Sequence, residues 1–119
     1  MATVEANTEL GQQIVEDAKR YVLYSWSVQD AINPIAVAGG EGRYFWDYDG
    51  KRYLDFASQL VNVSIGHGHP KVIAAIKEQA EKLCTIGPPM ASESRSRPAR
   101  LLAEGTQGDL AMSFFANGG

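Results

Sequence analysis

Two aromatic-rich runs around an Asp-Gly pair constrain the fold of this chain more than any other feature. The runs are Arg43-Tyr44-Phe45-Trp46-Asp47 and Lys51-Arg52-Tyr53-Leu54-Asp55, with Tyr48-Asp49-Gly50 between them. Aromatic side chains suit the half-buried face of a pleated strand. Glycine tolerates the positive φ that a tight hairpin turn demands. The pattern therefore predicts a β-hairpin. Ile35-Ala36-Val37, closed by Gly39-Gly40, is a candidate strand before it, so residues 35–56 read as a small β-meander. A structural role is sufficient for this hairpin, and turn and edge positions account for Asp47, Asp49 and Asp55.

Helical periodicity brackets the meander. Leu10, Ile14, Ala18 and Val22 recur every four residues, and Thr8 is placed to cap that helix. Residues 1–8 read as a tail. Tyr24-Ser25-Trp26-Ser27-Val28-Gln29 ends the helix, and Asn33-Pro34 marks a break. Pro70 suits a first helical turn, where its missing N–H costs nothing. Val72, Ile76, Gln79 or Ala80, and Leu83 form the next stripe, predicting a helix over 70–84. Gly87-Pro88-Pro89 breaks it. A further helix is predicted over 93–104, closed by Gly105 and Gly108. Leu110-Ala111-Met112-Ser113-Phe114-Phe115 is a short apolar run bounded by turn residues, which suits a buried strand.

Composition narrows the function. With 119 residues the chain is the size of one ordinary domain, and its 45% hydrophobic content argues against disorder over most of the length. A net charge of -3 favours neither nucleic acid nor an anionic membrane. The one basic cluster, at Arg95, Arg97 and Arg100, reads as a solvated helix face. No run is long enough to span a bilayer, and the N-terminus lacks the basic start and apolar core of a secretory signal. The single cysteine, Cys84, forms no intrachain disulfide and reads as packing. A cytoplasmic setting is expected.

Few residues advertise chemistry by themselves. Asn117-Gly118-Gly119 follows the apolar run, and a strand leading into such a segment can offer backbone N–H groups to a phosphate. On these residues alone an ordinary tight turn is the favoured reading. His67 and His69 form a His-x-His pair, but two ligands are too few for a metal site, and loop hydrogen bonds with capping at Pro70 explain them better. There is no nucleophile elbow, catalytic triad or phosphate-binding P-loop. Trp26 suits the core by pattern, although aromatic residues also line small-molecule pockets.

Taken in order, these motifs resemble the start of the class III aminotransferases, or ω-transaminases, from about residue 10 to residue 119. The likeness is carried by 24–29, by 41–56, by Gly66-His67-Gly68-His69-Pro70 with Val72 and Ile76, by Leu101-Leu102-Ala103-Glu104, and by Phe114-Phe115-Ala116-Asn117-Gly118-Gly119. Trp26-Ser27-Val28-Gln29 and Gln59-Leu60-Val61-Asn62 look most like pyruvate-using members such as taurine–pyruvate aminotransferase. The resemblance implies the N-terminal part of an α/β, fold type I enzyme dependent on pyridoxal 5'-phosphate (PLP). Residues 9–84 would supply the helix, β-meander and helix of its small domain. Residues 85–119 would begin the PLP-binding large domain with the first strand of its sheet.

The same resemblance implies the roles. Asn117, Gly118 and Gly119 would belong to the phosphate loop, with Gly118 replacing the usual Ser and so removing a hydroxyl contact. Trp26, Val28, Leu60 and Val61 would lie near the substrate pocket, and the loop from Gly87 to Met90 could face a partner subunit's site. The partners implied are a small-molecule amino donor, a keto acid such as pyruvate, and a second copy in a homodimer. PLP chemistry needs a lysine that binds the cofactor and a carboxylate at its pyridine nitrogen. The family pattern puts both beyond residue 119. Lys51, Lys71, Lys77 and Lys82 do not match that lysine, so the 119-residue chain alone is expected to be inactive. Two other readings stay open: an aminomutase or decarboxylase on the same scaffold, and a non-catalytic truncated product or dimerising module.

Overall fold

The structure, a computed structural model, describes residues 5–116. The chain forms two compact units, Met1–Ile76 and Lys77–Gly119.

The first unit opens with helix α1, Thr8–Tyr21. Its cap is Asn7 rather than the expected Thr8: the Asn7 side chain accepts from the Leu10 N–H at 3.1 Å. Asparagine caps at least as well as threonine. Asn7 also donates its own N–H to the Tyr48 carbonyl at 2.8 Å, which ties the helix start to the hairpin. Glu9 in the first turn and Lys19 and Arg20 in the last complement the helix dipole.

The β-meander forms as expected: β1 (Val37–Glu41), β2 (Tyr44–Asp47) and β3 (Arg52–Leu54) make an antiparallel sheet in the order β1-β2-β3. The first strand, however, lies later than Ile35-Ala36-Val37. It begins at Val37 and runs through the glycines read as its end. Gly39 pairs with Trp46 and Gly40 with Phe45, after an irregularity between Val37 and Gly39. Bulky neighbours fill the room that side chains would occupy there. Phe45 and Tyr53 face each other across β2 and β3, with rings stacked 5.0 Å apart at 11°. Such cross-strand pairs are a main source of sheet stability.

The hairpin turn depends on Asp47, the one buried charged residue among those described. Its Oδ1 accepts the N–H groups of Asp49 (3.0 Å) and Lys51 (2.8 Å). Its Oδ2 accepts the Tyr53 hydroxyl at 2.7 Å. Gly50 closes the turn at φ +80, donating its N–H to the Asp47 carbonyl at 3.1 Å. The Asp-Gly signal is thus borne out, and Asp47 proves to be the centre of the turn.

A second long helix covers Pro70–Lys82. It stops short of 84: after a last helical bond from the Leu83 N–H to the Gln79 carbonyl, the Gln79 side-chain amide caps the Leu83 carbonyl, both at 2.8 Å. In the second unit, the Glu93–Gly105 helix starts after Ser92 and ends where the Thr106 N–H and hydroxyl both meet the Leu102 carbonyl. Lys82 pairs with Glu93 at 2.8 Å on the surface. Arg95 ties the preceding loop by donating to the Pro88 carbonyl at 3.2 Å. Cys84 is exposed rather than packed, with its thiol 3.3 Å from the Ala80 carbonyl.

Residues 110–115, expected as a buried strand, pair with nothing among the described residues, and Met112 and Phe114 are 98% and 95% exposed. An apolar run encodes a need for cover, but a strand exists only where a neighbour completes its hydrogen bonds. Among the described residues no helix is long and apolar enough to cross a membrane.

The turn should weaken at both ends of the pH scale. Tyr53 first, then the N–H groups and charge around Asp47, hold its carboxyl below the ordinary range against the opposing effect of burial. The Asp47 hydrogen bond, followed by burial and nearby negative charge, pushes the Tyr53 phenol up. The Asp47 contribution is therefore present above about pH 4 and is lost as pH falls through its depressed folded value. The Tyr53 contribution is present below about pH 10 and is lost as pH rises through its raised folded value. Amide hydrogen exchange should show β2 and β3 opening more readily in acid, and Asp47→Asn should flatten that acid limb.

Candidate functional site

Two irregular loops of the first unit carry the four residues expected near a substrate. The first runs from 22 to 31. Ser27 donates its N–H to the Tyr24 carbonyl at 3.3 Å, and a short 3-10 turn follows at Gln29–Ala31. Gln29 staples this loop with both ends of its amide. Its Oε1 accepts the Tyr24 N–H at 3.1 Å, and its Nε2 donates to the Val22 carbonyl at 3.0 Å. A pattern that only separates apolar from polar residues cannot find this role, because Gln29 acts on backbone atoms several residues away. The stapled loop holds Trp26 and Val28 out at 86% and 74% exposure. Trp26 therefore does not enter a core in this chain.

The second loop joins β3 to the Pro70–Lys82 helix and contains an unusual turn. Ser58, Gln59, Leu60 and Val61 all lie in the left-handed region, with φ of 47, 47, 56 and 59. Residues with a Cβ disfavour that conformation by about 1–2 kcal/mol each, and a run of them needs to be held. Local hydrogen bonds hold part of it. Val61 N–H donates to the Ala57 carbonyl (3.2 Å), Val63 N–H to Ser58 (3.0 Å), and the Asn62 side chain to Gln59 (2.8 Å). Leu60 and Val61 are left exposed on the turn.

Asp55 connects this turn to the sheet. Its own N–H donates to the Arg43 carbonyl at 2.9 Å, fixing it at the end of β3. Its Oδ1 accepts the Gln59 N–H at 3.3 Å, and its Oδ2 meets His67 Nε2 at 2.7 Å. The Asp55 side chain is only 5% exposed. Burial pushes its carboxyl up, but the hydrogen bonds from His67 and Gln59 outweigh burial and leave it below the ordinary range.

His67 is seated just as firmly. Its backbone exchanges two hydrogen bonds with Gly42, at 2.9 and 2.7 Å. Its ring lies 6.4 Å from that of Phe45 and so close to Gly40 that a Cβ there would fall 2.9 Å from Cγ. A hollow beside the turn is bounded by Val37, Gly39, Gly40, Phe45, Gln59 and His67. The loop role expected for His67 is thus borne out. His69 begins the Pro70–Lys82 helix through its carbonyl, which accepts the Val72 and Ile73 N–H groups at 3.1 Å. The expected phosphate-loop residues Asn117, Gly118 and Gly119 lie outside the described residues.

With this geometry in hand, comparison with known proteins is informative. The sequence profile of the family described as Aminotransferase class-III matches residues 25–119. An acetylornithine aminotransferase from Methanopyrus kandleri is 38% identical over 72% of this chain and 22% of its own length. The taurine:2-oxoglutarate aminotransferase of Bifidobacterium kashiwanohense, solved in complex with PLP and glutamate, superposes with a TM-score of 0.75. It is 41% identical, over 79% of this chain and 21% of that one. A thermostable (S)-enantioselective ω-transaminase from Thermomicrobium roseum gives a TM-score of 0.81 at 31% identity, over 92% of this chain and 25% of that one. The chain thus spans about a fifth to a quarter of the length of these relatives.

Two substitutions probe the supports of these loops. Gln29→Ala removes both staple bonds, a loss of about 1–2 kcal/mol at ordinary hydrogen-bond strength, and should expose the Tyr24 amide to rapid exchange while the β1–β3 amides stay protected. Gly40→Ala forces His67 to shift. It should destabilise the unit by about 1–3 kcal/mol, as overpacking typically does, and should be read in the same exchange experiment as faster opening at Gly42 and His67.

Proposed function

The chain belongs to the class-III aminotransferases, and we propose that it forms the N-terminal part of an enzyme moving an amino group from a small-molecule donor to a keto acid such as pyruvate. The observation that carries this reading is the combined sequence and structural likeness to a taurine aminotransferase solved with PLP and glutamate. In the complete enzyme, PLP supplies an electron sink for the carbon that carries the amino group. Residues 9–84 contribute to the small domain and residues 85–119 begin the large domain. The enzyme works as a homodimer in the cytoplasm.

By their chemistry, Asn117, Gly118 and Gly119 suit part of a phosphate cradle. They offer an amide and backbone N–H groups with no side chain on the two glycines to block close approach. They supply no hydroxyl and no cation, so the rest of the phosphate's partners come from elsewhere. Trp26 and Val28 on the stapled loop, and Leu60 and Val61 on the left-handed turn, form apolar wall of the substrate pocket. Their work is to exclude water and to select the donor by shape. The general base, supplied by the cofactor-binding lysine, lies in the rest of the enzyme.

The test uses the protein expressed to the full length of its relatives and loaded with PLP. Taurine, acetylornithine and succinylornithine serve as donors with pyruvate or 2-oxoglutarate as acceptor, and L-alanine serves as donor with 2-oxoglutarate. Formation of the donor's carbonyl product together with the aminated acceptor is expected, and absence of transfer with every pair would overturn the reading. A second outcome concerns the cradle: Gly118→Ser restores a hydroxyl donor and should slow PLP loss on dialysis about tenfold, the effect of one charge-assisted hydrogen bond.

A further inference from the structure

We propose that Asp55 and His67 are positioning residues that set donor affinity by holding the Ser58–Val61 turn in its left-handed form. Three observations converge on this role. The turn places four consecutive residues with side chains at positive φ, where only glycine is at ease. The N–H of Gln59, the second residue of that run, is taken by Asp55 Oδ1. The other oxygen of the same carboxylate is engaged by His67, whose backbone is bridged to Gly42 and whose ring is seated against Gly40.

The bond from Asp55 to Gln59 reaches across four residues, from the end of β3 to the middle of the strained stretch. The bonds internal to the turn would be compatible with the turn swinging as a body. The Asp55 bond is different because it refers the turn to the sheet. His67 then limits the rotation of the carboxylate, since a side chain held at both oxygens cannot pivot about its own axis. The consequence is that Leu60 and Val61 leave the turn in one fixed direction. Neither Asp55 nor His67 needs to touch substrate for this.

This role presupposes Leu60 and Val61 in the pocket, as proposed above, and the experiment separates the two ideas. In the complete PLP-loaded enzyme, with the best donor of the panel, Asp55→Asn is expected to raise the donor KM about tenfold with kcat changed less than about twofold, the signature of lost ground-state positioning. PLP content, read from its absorbance, should be unchanged. Gln59→Gly relieves the backbone at the centre of the turn and should restore much of the affinity in the Asp55→Asn background while altering the parent enzyme little. A merely structural role would not be rescued in this way.

A readout that needs no turnover runs beside this: Asp55→Asn should speed amide exchange at Gln59, Val61 and Val63, and His67→Gln should do the same. If either variant accumulates without PLP, the other is read in its place. Unchanged exchange in both variants overturns the proposal. So does an unchanged donor KM in Asp55→Asn when Leu60→Ala raises it. If Leu60→Ala and Val61→Ala both leave the donor KM unchanged while exchange responds, the pocket assignment fails and the claim on affinity falls with it.

Discussion

One carboxylate, that of Asp55, holds together two stretches of chain that have no regular structure of their own. The meander fixes Asp55 through its backbone, and Asp55 in turn fixes His67 and the left-handed turn. Without the sheet there would be no seat for the imidazole beside Gly40, and without the imidazole the carboxylate would be free to rotate. A carboxylate with a shielded side chain, hydrogen-bonded at both oxygens, contributes more to the choice of one arrangement than to net stability, because taking it out of water offsets much of the attraction. The loop from 55 to 69 is therefore specified electrostatically on a scaffold specified by aromatic packing.

The scaffold was largely legible in the sequence. Aromatic residues on both sides of Asp-Gly predicted the hairpin, and four-residue spacing predicted the helices now observed at Thr8–Tyr21 and Pro70–Lys82. What stayed hidden follows a common rule: side chains that act on distant backbone atoms leave no periodic trace. Gln29, Asp47 and Asp55 are all of this kind. The left-handed turn was hidden for the opposite reason, since Ser, Gln, Leu and Val carry no signal for positive φ. Residues 110–115 were read by composition as a strand, but strand formation is decided by a neighbour that composition cannot supply. The candidate pocket residues came from family likeness rather than from pattern, and they turned out to share a physical setting, each standing on a loop clamped by a polar side chain.

The distribution of apolar surface has the same origin. Among the described residues no large apolar side chain is fully buried, and Phe56, Met112 and Phe114 are more than nine-tenths exposed. The chain spans a fifth to a quarter of its relatives' length, and the apolar faces of its helices carry exposed side chains such as Leu10, Val72, Ile76 and Leu101. Order within the first unit rests instead on the strand ladders, the Phe45–Tyr53 stack and polar clamps.

A left-handed turn built from ordinary residues separates two properties that usually change together. Its screw sense decides where the side chains at 60 and 61 aim, while their identity decides how far they extend. Substitutions at these two positions can therefore lengthen or shorten the exposed apolar surface without turning it, as a dial adjusts reach along a fixed bearing. In the pocket role proposed for them, diversity in the size of accepted molecules would accumulate there by single replacements, on a backbone whose handedness is kept by residues elsewhere.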